Sequence, residues 1–346
     1  MTVMNNSTST ISPVCSVCVA NFNGAEVIEE CLNSVFAQDC DFPFEVIVHD
    51  DASTDGSADI IRNRYPGAFL MPSEENVGFC VSNNRMAAQA CGKYILLLNN
   101  DAALIPDALR TLYTYAEKQS RAGILGLPQY DITTRELLDI GSLCDPFMNP
   151  VPNLDASRHD VAMVSGACLW IPRLLWEELG GFPDWFGSLA EDLYLCSLAR
   201  LYGYPVLTLG TSGFLHHVGK NFGGGKVQGD RLTTTFRRRA LSESNKTFVM
   251  VICYPGVLLF WLLPLHLALI HLEGLLLTLI KCDSTVWNKI YAPLLPSLWR
   301  QRERLLSLRQ SVQSRRKLSL RAWLNPFSWV PWKLRMLIRH GLPKLT

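Results

Sequence analysis

The stretch YILLLNND, residues 94–101, decides the fold, because five apolar positions run directly into two amides and a carboxylate. A run this apolar, without alternation and too short for a helix, is typical of a strand buried on both faces. In an open parallel sheet, ligands bind in the crevice beyond the carboxyl ends of the strands. Asn99, Asn100 and Asp101 are therefore candidate ligand contacts, although Asp101 could instead cap the helix expected after Pro106.

Strands alternate with helices on both sides of this stretch. The pattern predicts strands at residues 14–20, 45–49, 69–71, 161–171 and 205–209 and near residue 124, and helices at residues 25–37, 58–64 and 79–90 and after residues 106 and 172. Such alternation implies right-handed crossovers and a mostly parallel sheet flanked by helices, which is an α/β fold of Rossmann-like type.

Acidic side chains collect in the loop VIVHDDASTDGS, residues 46–57. Asp55 and Ser57 are expected to cap the next helix. Asp50, at the end of a strand, is expected to face the crevice, where a carboxylate can accept hydrogen bonds from a nucleotide base or ribose. The chain has neither the Gly-x-Gly-x-x-Gly motif nor the P-loop lysine motif, so it lacks the main signals of dinucleotide-binding and P-loop ATP-binding folds.

Charge and hydrophobicity divide the chain unevenly. Of its 346 residues 48% are hydrophobic and 18% charged, which is apolar for a soluble enzyme and suggests contact with lipid. The net charge is +1, yet residues 281–346 hold 14 Lys and Arg against two Asp and Glu. A basic tail on an acidic body predicts an anionic partner, either lipid or nucleic acid. The 11 scattered cysteines favour a reducing compartment.

Six segments together resemble a family 2 glycosyltransferase of the GT-A type, especially its rhamnosyltransferase-like branch. Each segment is a weak signal alone, but their order and spacing over some 200 residues make the resemblance specific. They are ANFNG at 20–24, VIVHDDASTDGS at 46–57, ENVGFCVSNNRMAAQACGKYILLLNND at 75–101, GACLWIPRLLWEELGGF at 166–182, EDLYLCSLARLYGY at 191–204 and LHHVG at 215–219.

The resemblance implies a nucleotide-sugar site with a divalent cation. The donor-binding residues it implies are Asn21, Asn23, Asp50, Asp51, Asn76, Gly78, Asn84, Asn99 and Asn100. Asp101 ends the acidic motif that holds Mg2+ or Mn2+, and His216 or His217 can complete the metal site. Two adjacent histidines on an extended segment face opposite ways, so at most one can reach the ion. The family often has Asp where this chain has Asn99, which leaves one anionic ligand.

The pair Glu191 and Asp192 is implied to include the catalytic base, with Asp192 as the base and Glu191 beside it. A carboxylate that faces the crevice at the start of a helix can be ionised and partly shielded, as a base must be. The helix dipole offers a structural explanation for both acids. Tyr194 stands where the family often has a further acid. A membrane-anchored protein that binds nucleotide sugar or glycolipid without turnover is therefore an alternative.

The predicted organisation has three parts. Residues 1–13 are expected to be disordered, and residues 14–230 to form the GT-A domain, with a nucleotide-sugar half at 14–127 and an acceptor half at 128–230. The glycine-rich segment at 219–226 is expected to form either a lid over the diphosphate or a plain surface loop. Residues 231–346 are expected to form a membrane-associated helical appendage.

The appendage contains an apolar segment, residues 248–280, that is long enough to span a bilayer. Pro255 and Pro264 would break or kink it, which favours a re-entrant or interfacial hairpin over a single crossing. Residues 299–321 are a candidate basic amphipathic helix, and tryptophans follow it. Tryptophan beside Lys and Arg is typical of a segment at an anionic membrane surface, so we expect lipid and no nucleic acid as partner.

The resemblance, together with the apolar and basic C-terminal segments, implies an inverting glycosyltransferase at the cytoplasmic face of the cell membrane. The donor class implied is a nucleotide sugar such as dTDP-rhamnose or a UDP-hexose. The acceptor implied is a glycan or a lipid-linked molecule used in the synthesis of cell-surface polysaccharide or cell wall.

Overall fold

The computed structural model describes residues 12–217, 224–228 and 231–346, and for residues 224–228, 231 and 232 it describes the backbone alone. The prediction of a disordered N-terminus falls almost wholly outside these residues. Most of the predicted lid, including Lys220, falls outside them as well.

Strands and helices alternate along the first half of the chain, as the pattern predicted. The strands are β1 Cys15–Asn21, β2 Phe44–Asp50, β3 Ala68–Pro72, β4 Tyr94–Asn99, β5 Ala102–Leu104, β6 Ile124–Gly126, β7 Gln129–Asp131, β8 Leu137–Asp139, β9 Ser142–Cys144, β10 Pro150–Pro152, β11 Cys168–Pro172, β12 Val206–Thr208, β13 Phe214–His216, β14 Gly224–Gln228, β15 Arg231–Thr234 and β16 Lys344–Leu345. The helices are α1 Ile28–Phe36, α2 Ser57–Arg64, α3 Phe79–Gln89, α4 Ala108–Glu117, α5 Arg173–Leu179, α6 Glu191–Leu201, α7 Phe236–Cys253, α8 Gly256–Lys281, α9 Ser284–Val286, α10 Leu294–Arg300, α11 Arg302–Ser314, α12 Leu320–Leu324 and α13 Trp332–His340.

The central sheet has seven strands in the order β12-β6-β11-β4-β1-β2-β3. Strands β4, β1, β2 and β3 pair in parallel, as do β12 and β6, while β11 runs antiparallel to both of its neighbours. The prediction of a mostly parallel α/β sheet is therefore confirmed. The predicted strand at residues 161–171 is shorter than expected, because only its second half pairs with β4.

The central strand β4 is buried on both faces. Ile95 and Leu97 belong to one hydrophobic core, and Leu96 and Leu98 belong to the core on the opposite face of the sheet. This explains why its sequence shows no alternation of polar and apolar residues. Because every side chain of the strand interior is covered, the polar residues that follow it stand at the edge of the sheet.

A second sheet, in the order β5-β13-β7-β8, continues directly from the end of β4. Its pairing places His216 opposite Ala102 on one side and opposite Asp131 on the other. The segment after β4 is thereby brought beside the segment that contains the two adjacent histidines. A third small sheet joins the C-terminal β16 to β15.

The apolar segment at residues 248–280 divides into two helices with different surroundings. Residues 248–253 are the last turns of α7, and they are buried in the same core as the acceptor half of the domain. The hairpin interpretation is therefore wrong for this first arm, because its side chains contact protein. The boundary predicted at residue 230 stays a prediction, and this core contains residues from both sides of it.

Helix α8 follows the turn at Tyr254 and Pro255 and is long and apolar enough to cross a membrane. Pro264 lies inside this helix, which continues through it to Lys281. Less than a quarter of its most apolar window is buried, and Phe260 and Trp261 are each 70% exposed. Helix α8, unlike the end of α7, therefore presents apolar side chains to the outside of the protein.

The segment expected to be a single basic helix at residues 299–321 is instead divided between helices, and one of these helices packs against the protein. It forms α10 and α11, and Arg309 and Gln313 of α11 donate hydrogen bonds to backbone carbonyls at the end of α7. Trp323, expected at a membrane surface, is 2% exposed and packs in the core. Trp329 is exposed, and no residue of α13 is buried.

Candidate active site

The ends of β1, β2 and β4 converge in a row of hydrogen-bonded polar side chains. Asn100 donates from Nδ2 to Oδ1 of Asn21 at 2.9 Å, and Asn21 in turn donates from Nδ2 to Oδ1 of Asp50 at 2.7 Å and to Oγ of Ser57 at 2.9 Å. These four residues are buried. Gly24 packs so closely that a Cβ atom there would collide with Asn21 and Asn100. The structure thus brings three of the predicted donor-binding residues together.

Asp51 holds a loop in place. Its carboxylate accepts hydrogen bonds from the backbone amides of Val77 at 2.7 Å and Gly78 at 2.9 Å, and Gly78 has a positive φ of 87°. Asn76 donates to the Asp51 carbonyl at 3.4 Å. Asp51, Asn76 and Gly78 therefore form one cluster beside the crevice, in which the carboxylate of Asp51 is already occupied by backbone groups.

Asn23 lies at the exposed rim of the same crevice. Its side-chain oxygen accepts a hydrogen bond from the backbone amide of Thr54 at 2.9 Å, and its own backbone amide donates to Ser53. The structure thus links the ANFNG loop to the loop that follows β2.

Asn84 makes its hydrogen bonds with residues other than Asn21, Asp50 and Asn100. Its amide donates to the carbonyl of Phe182 at 2.8 Å and to Asp184 at 2.7 Å, and its oxygen accepts from the amide of Phe182 at 3.0 Å. The side chain ties α3 to the segment after α5. The structure gives this residue a role in packing and does not bring it to Asn21 or Asp50.

Asp101 and His216 form a buried pair. His216 Nε2 lies 3.1 Å from Asp101 Oδ1, and His216 Nδ1 lies 3.0 Å from the amide nitrogen of Gln129. The side chain of His217 instead lies 3.4 Å from Glu30. One histidine of the two therefore reaches Asp101, which is the geometry expected for an extended segment.

The atoms around this pair fit a hard divalent cation. The side-chain oxygen of Asn99 is buried and has no hydrogen-bond partner among the described residues, which leaves an acceptor free at the end of β4. With the Gln129 amide turned so that its oxygen accepts from His216 Nδ1–H, the Nε2 lone pair of His216 is available to a cation that Asp101 also binds. Carboxylate and carbonyl oxygens suit Mg2+ and Mn2+. Within the described residues no cluster of three His, Cys, Asp or Glu side chains occurs.

The two acids at the start of α6 have different surroundings. Asp192 is half-buried, and its Oδ2 accepts a hydrogen bond from the backbone amide of Gly166 at 3.1 Å. Glu191 is buried, and one of its carboxylate oxygens has no hydrogen-bond partner in the described part of the chain. Burial, followed by the negative charge of Asp192, raises the pKa of Glu191, and burial also raises the pKa of Asp192.

Arg238 of α7 is the nearby cation that sequence reasoning missed. Its positive charge opposes the rise in pKa of both Glu191 and Asp192, and its own pKa is lowered by burial. It stands in a run of three arginines that looked like the basic flank of a membrane segment. The run alone does not distinguish Arg238 from its neighbours.

Asn245 of α7 is a second missed residue. Its amide nitrogen lies within hydrogen-bond distance of three backbone carbonyls, those of Phe186 at 3.1 Å, Ser188 at 3.0 Å and Leu189 at 2.9 Å. The loop that it holds leads into α6 and contains two consecutive non-glycine residues with positive φ, Leu189 at 72° and Ala190 at 65°. A buried amide next to an apolar run is the signal that could have identified it.

The chain is similar to known proteins in sequence and in fold. Residues 16–173 match the family model described as glycosyl transferase family 2. An N-acetylglucosaminyl-diphospho-decaprenol L-rhamnosyltransferase of Mycobacterium tuberculosis is 25% identical in an alignment 205 residues long that covers 51% of this chain and 67% of that protein. Abequosyltransferase RfbV of Salmonella typhimurium is 32% identical in an alignment 111 residues long that covers 30% of this chain and 33% of the relative.

Among solved structures, the mannosyltransferase PcManGT from Pyrobaculum calidifontis in complex with GDP-Man and Mn2+ superposes with a TM-score of 0.51 and 20% identity, covering 88% of each chain. The fold is therefore that of the GT-A glycosyltransferases. Residues 16–173 belong to glycosyl transferase family 2, and the protein is an enzyme, a glycosyltransferase. The non-catalytic alternative is thereby set aside.

Proposed function

We propose that this glycosyltransferase moves a sugar, with inversion at the anomeric carbon, from a nucleotide-sugar donor to an acceptor used in cell-surface glycan synthesis. The proposed donors are dTDP-rhamnose or a UDP-hexose. The observation that carries the proposal is the position of Asp192, a half-buried carboxylate that is held by the amide of Gly166 next to the crevice at the strand ends. The rhamnosyltransferase and the abequosyltransferase among the relatives support the sugar class.

Asp192 is the proposed base. Its Oδ1 accepts a hydrogen bond from the backbone amide of Leu193 at 2.7 Å and keeps a second lone pair, which takes the proton of the acceptor hydroxyl. The hydroxyl oxygen then attacks the anomeric carbon, and the bond from this carbon to the diphosphate breaks on the opposite face. Because only one displacement occurs, the configuration inverts. Glu191 has a raised pKa and is more deeply buried, so it is expected to stay protonated beside Asp192 and to leave the negative charge on the base.

Asn21, Asp50 and Asn100 are the proposed contacts to the nucleotide, since their hydrogen-bonded row lies at the carboxyl ends of three parallel strands. Asp51, Asn76 and Gly78 are proposed to shape the adjacent loop. Asp101 and His216, with the oxygen of Asn99, would hold Mg2+ or Mn2+. When bound there, the ion supplies electrostatic stabilisation for the charge of the departing diphosphate.

The proposed location is the cytoplasmic face of the cell membrane. Helix α8 exposes apolar side chains along its length, and α13 is an exposed helix that carries Lys333, Arg335 and Arg339. An apolar surface beside basic side chains fits the headgroup region of an anionic leaflet. The lipid-linked substrate in the name of the rhamnosyltransferase supports the same location.

The test is a thermal-shift panel of nucleoside diphosphates and nucleotide sugars, with and without Mn2+, followed by NMR of the product. A nucleotide at about 100 times its Kd is expected to stabilise the protein by about 2.7 kcal/mol. A metal-dependent shift with one nucleotide would identify the donor class. The absence of any shift would contradict the donor proposal, and a retained anomeric configuration would contradict Asp192 as the base of a single displacement.

A further inference from the structure

A cavity of about 1400 Å3 lies between the acceptor half of the domain and the C-terminal helices. One wall comes from the segment 129–152, and the others come from α7, α8 and α13. This volume exceeds the usual size of a small-ligand pocket, about 300–1,000 Å3. About two-thirds of the residues that line it, 24 of 37, follow the matched family segment.

One end of the cavity is lined by polar side chains, and Glu191 and Asp192 are not among the residues that line it. Arg238 lines it, and the charge of Arg238 acts on both Glu191 and Asp192. His217, next to the proposed metal ligand His216, lines the same end. A ligand that contacts Arg238 therefore lies beside a cation whose charge acts on both acids.

The other end is apolar and open. Leu272, Leu276 and Ile280 of α8 line it and are 52%, 49% and 60% exposed, and Leu334 and Leu337 of α13 line it from the other side. From His266 to Ile280 the wall formed by α8 is roughly 20 Å long, at a rise of about 1.5 Å per residue. These side chains form an apolar strip along α8 and α13, and the charged residues Glu273 and Lys333 line the cavity beside it.

The walls are fixed to one another by a buried ionic network. Lys333 of α13 binds Glu243 of α7 at 2.8 Å and Glu273 of α8 at 2.7 Å, and Arg239 of α7 binds both glutamates. Lys246 lies 3.3 Å from Glu243. Because the network joins all three helices, the cavity is a built feature of the fold and not a gap between loosely packed segments.

We propose that this cavity binds a lipid-linked acceptor, with the glycan head at the polar end and the hydrocarbon chain along α8 and α13. The inference rests on the proposed function and chooses the lipid-linked acceptor over a free polysaccharide. A free polysaccharide or a nucleotide sugar has no apolar part that would gain from contact with the apolar strip, whereas a hydrocarbon chain does. Polar side chains that suit sugar hydroxyls, such as Gln129, Asp131 and Ser242, line the head end.

The first experiment measures binding without turnover. The probe is N-acetylglucosaminyl diphosphate on a farnesyl chain that carries a diazirine, applied without donor to the full chain in nanodiscs of neutral lipid. The expected labels fall on the residues of α8 and α13 that line the cavity, and excess unlabelled farnesyl acceptor removes them. Labels spread evenly over the exposed side chains of α8, or labels that excess acceptor does not displace, would overturn the inference in favour of ordinary lipid contact.

The second experiment compares Leu276→Gln with Leu279→Gln. Both residues are exposed on α8, but Leu276 lines the cavity and Leu279, 71% exposed, is not among the lining residues. Leu276→Gln is expected to raise the KM for the farnesyl acceptor roughly tenfold, the effect of spoiling one apolar contact, while Leu279→Gln leaves it unchanged. Equal effects of the two variants would overturn the inference.

Hydrolysis of the donor by water is measured on both variants to separate the two proposals. It is expected to be unchanged, since neither residue touches the donor site. A wild-type protein that neither hydrolyses nor transfers any sugar would contradict the proposed function, whereas displaceable labelling of the cavity would still support the acceptor site.

Discussion

Asn99 and Asp192 are bound to neighbouring residues of the same loop. The backbone amide of Asn99 donates to the carbonyl of Ala167 at 3.0 Å, and the carboxylate of Asp192 accepts from the amide of Gly166 at 3.1 Å. The end of the central strand and the start of α6 are therefore coupled through the short segment that precedes β11. The position of Asn99, a proposed cation ligand, relative to Asp192, the proposed base, is therefore fixed by hydrogen bonds to the backbone of residues 166 and 167. The two side chains do not bond to each other directly.

The first prediction concerns Asp192 itself. Asp192→Asn keeps the shape and a hydrogen-bond acceptor for Gly166 but removes the proton acceptor, so kcat is expected to fall by about 100- to 10,000-fold. Binding of the donor nucleotide, measured by thermal shift, is expected to remain. Asp59→Asn, which changes an exposed carboxylate on α2 that does not line the cavity, is the control. Transfer rates within a few-fold of wild type in Asp192→Asn would assign the base elsewhere.

The second prediction separates the two adjacent histidines. His216 contacts Asp101, and His217 contacts Glu30, so the two substitutions differ in what they remove. His216→Ala and Asp101→Ala are each expected to abolish the Mn2+-dependent part of the nucleotide-induced thermal shift. His217→Ala is expected to retain it. A loss of metal dependence in His217→Ala alone would reverse the assignment.

The third prediction follows from the raised pKa of Glu191. The folded state holds a proton on this carboxyl at pH values where the unfolded chain has released it, so the folded state binds more protons. The contribution of Glu191 to stability is therefore present at low pH and is lost as the pH rises from the ordinary carboxyl range through the raised pKa.

Glu191→Gln removes this dependence, because the amide mimics the protonated acid. The difference in Tm between Glu191→Gln and wild type is expected to be small near pH 4 and to grow in favour of the variant toward pH 9. Thermal melts across this range measure it. A Tm difference that shrinks as the pH rises would mean that Glu191 is ionised in the folded state.

The positions of the polar residues at the strand ends could be predicted from sequence, because the buried strands that precede them have a recognisable apolar pattern. A strand covered on both faces must be apolar throughout, as Ile95 to Leu98 are, and the first polar residues after it must then lie at the edge of the sheet. The row formed by Asn21, Asp50 and Asn100 follows from three such strands that end at the same edge.

Other features depend on contacts that no local pattern encodes. The antiparallel direction of β11 is set by the path of the chain between distant elements. Residues 248–253 are equally apolar whether they face lipid or protein, and only the packing of α7 reveals that they face protein. Asn84, in a segment with the family motif, looks like a ligand contact until its bonds to Phe182 and Asp184 are known.

The fourth prediction tests the anchor of the loop that leads into α6. Asn245→Ala leaves carbonyls in the segment 186–189 without a donor, and this is expected to lower the free energy of unfolding by about 1–3 kcal/mol. Because the loop sets the position of Asp192, kcat is expected to fall more than donor affinity. Ser244→Ala, at the neighbouring half-buried position, is the control. Unchanged stability and kcat in Asn245→Ala would show that α6 holds its own position.

The fifth prediction concerns the apolar surface of α8. Phe260 and Trp261 are each 70% exposed, and their burial in a membrane would remove a large apolar area from water. The double substitution Phe260→Glu and Trp261→Glu is expected to reduce partition into anionic vesicles by at least about tenfold, since it removes apolar area and adds negative charge near an anionic surface. Phe69→Glu, at an exposed aromatic position on β3 of the central sheet, is the matched control and is expected to leave partition unchanged. If the double variant floats with the vesicles as well as wild type does, α8 is not the membrane contact, and the exposed α13 becomes the segment to test.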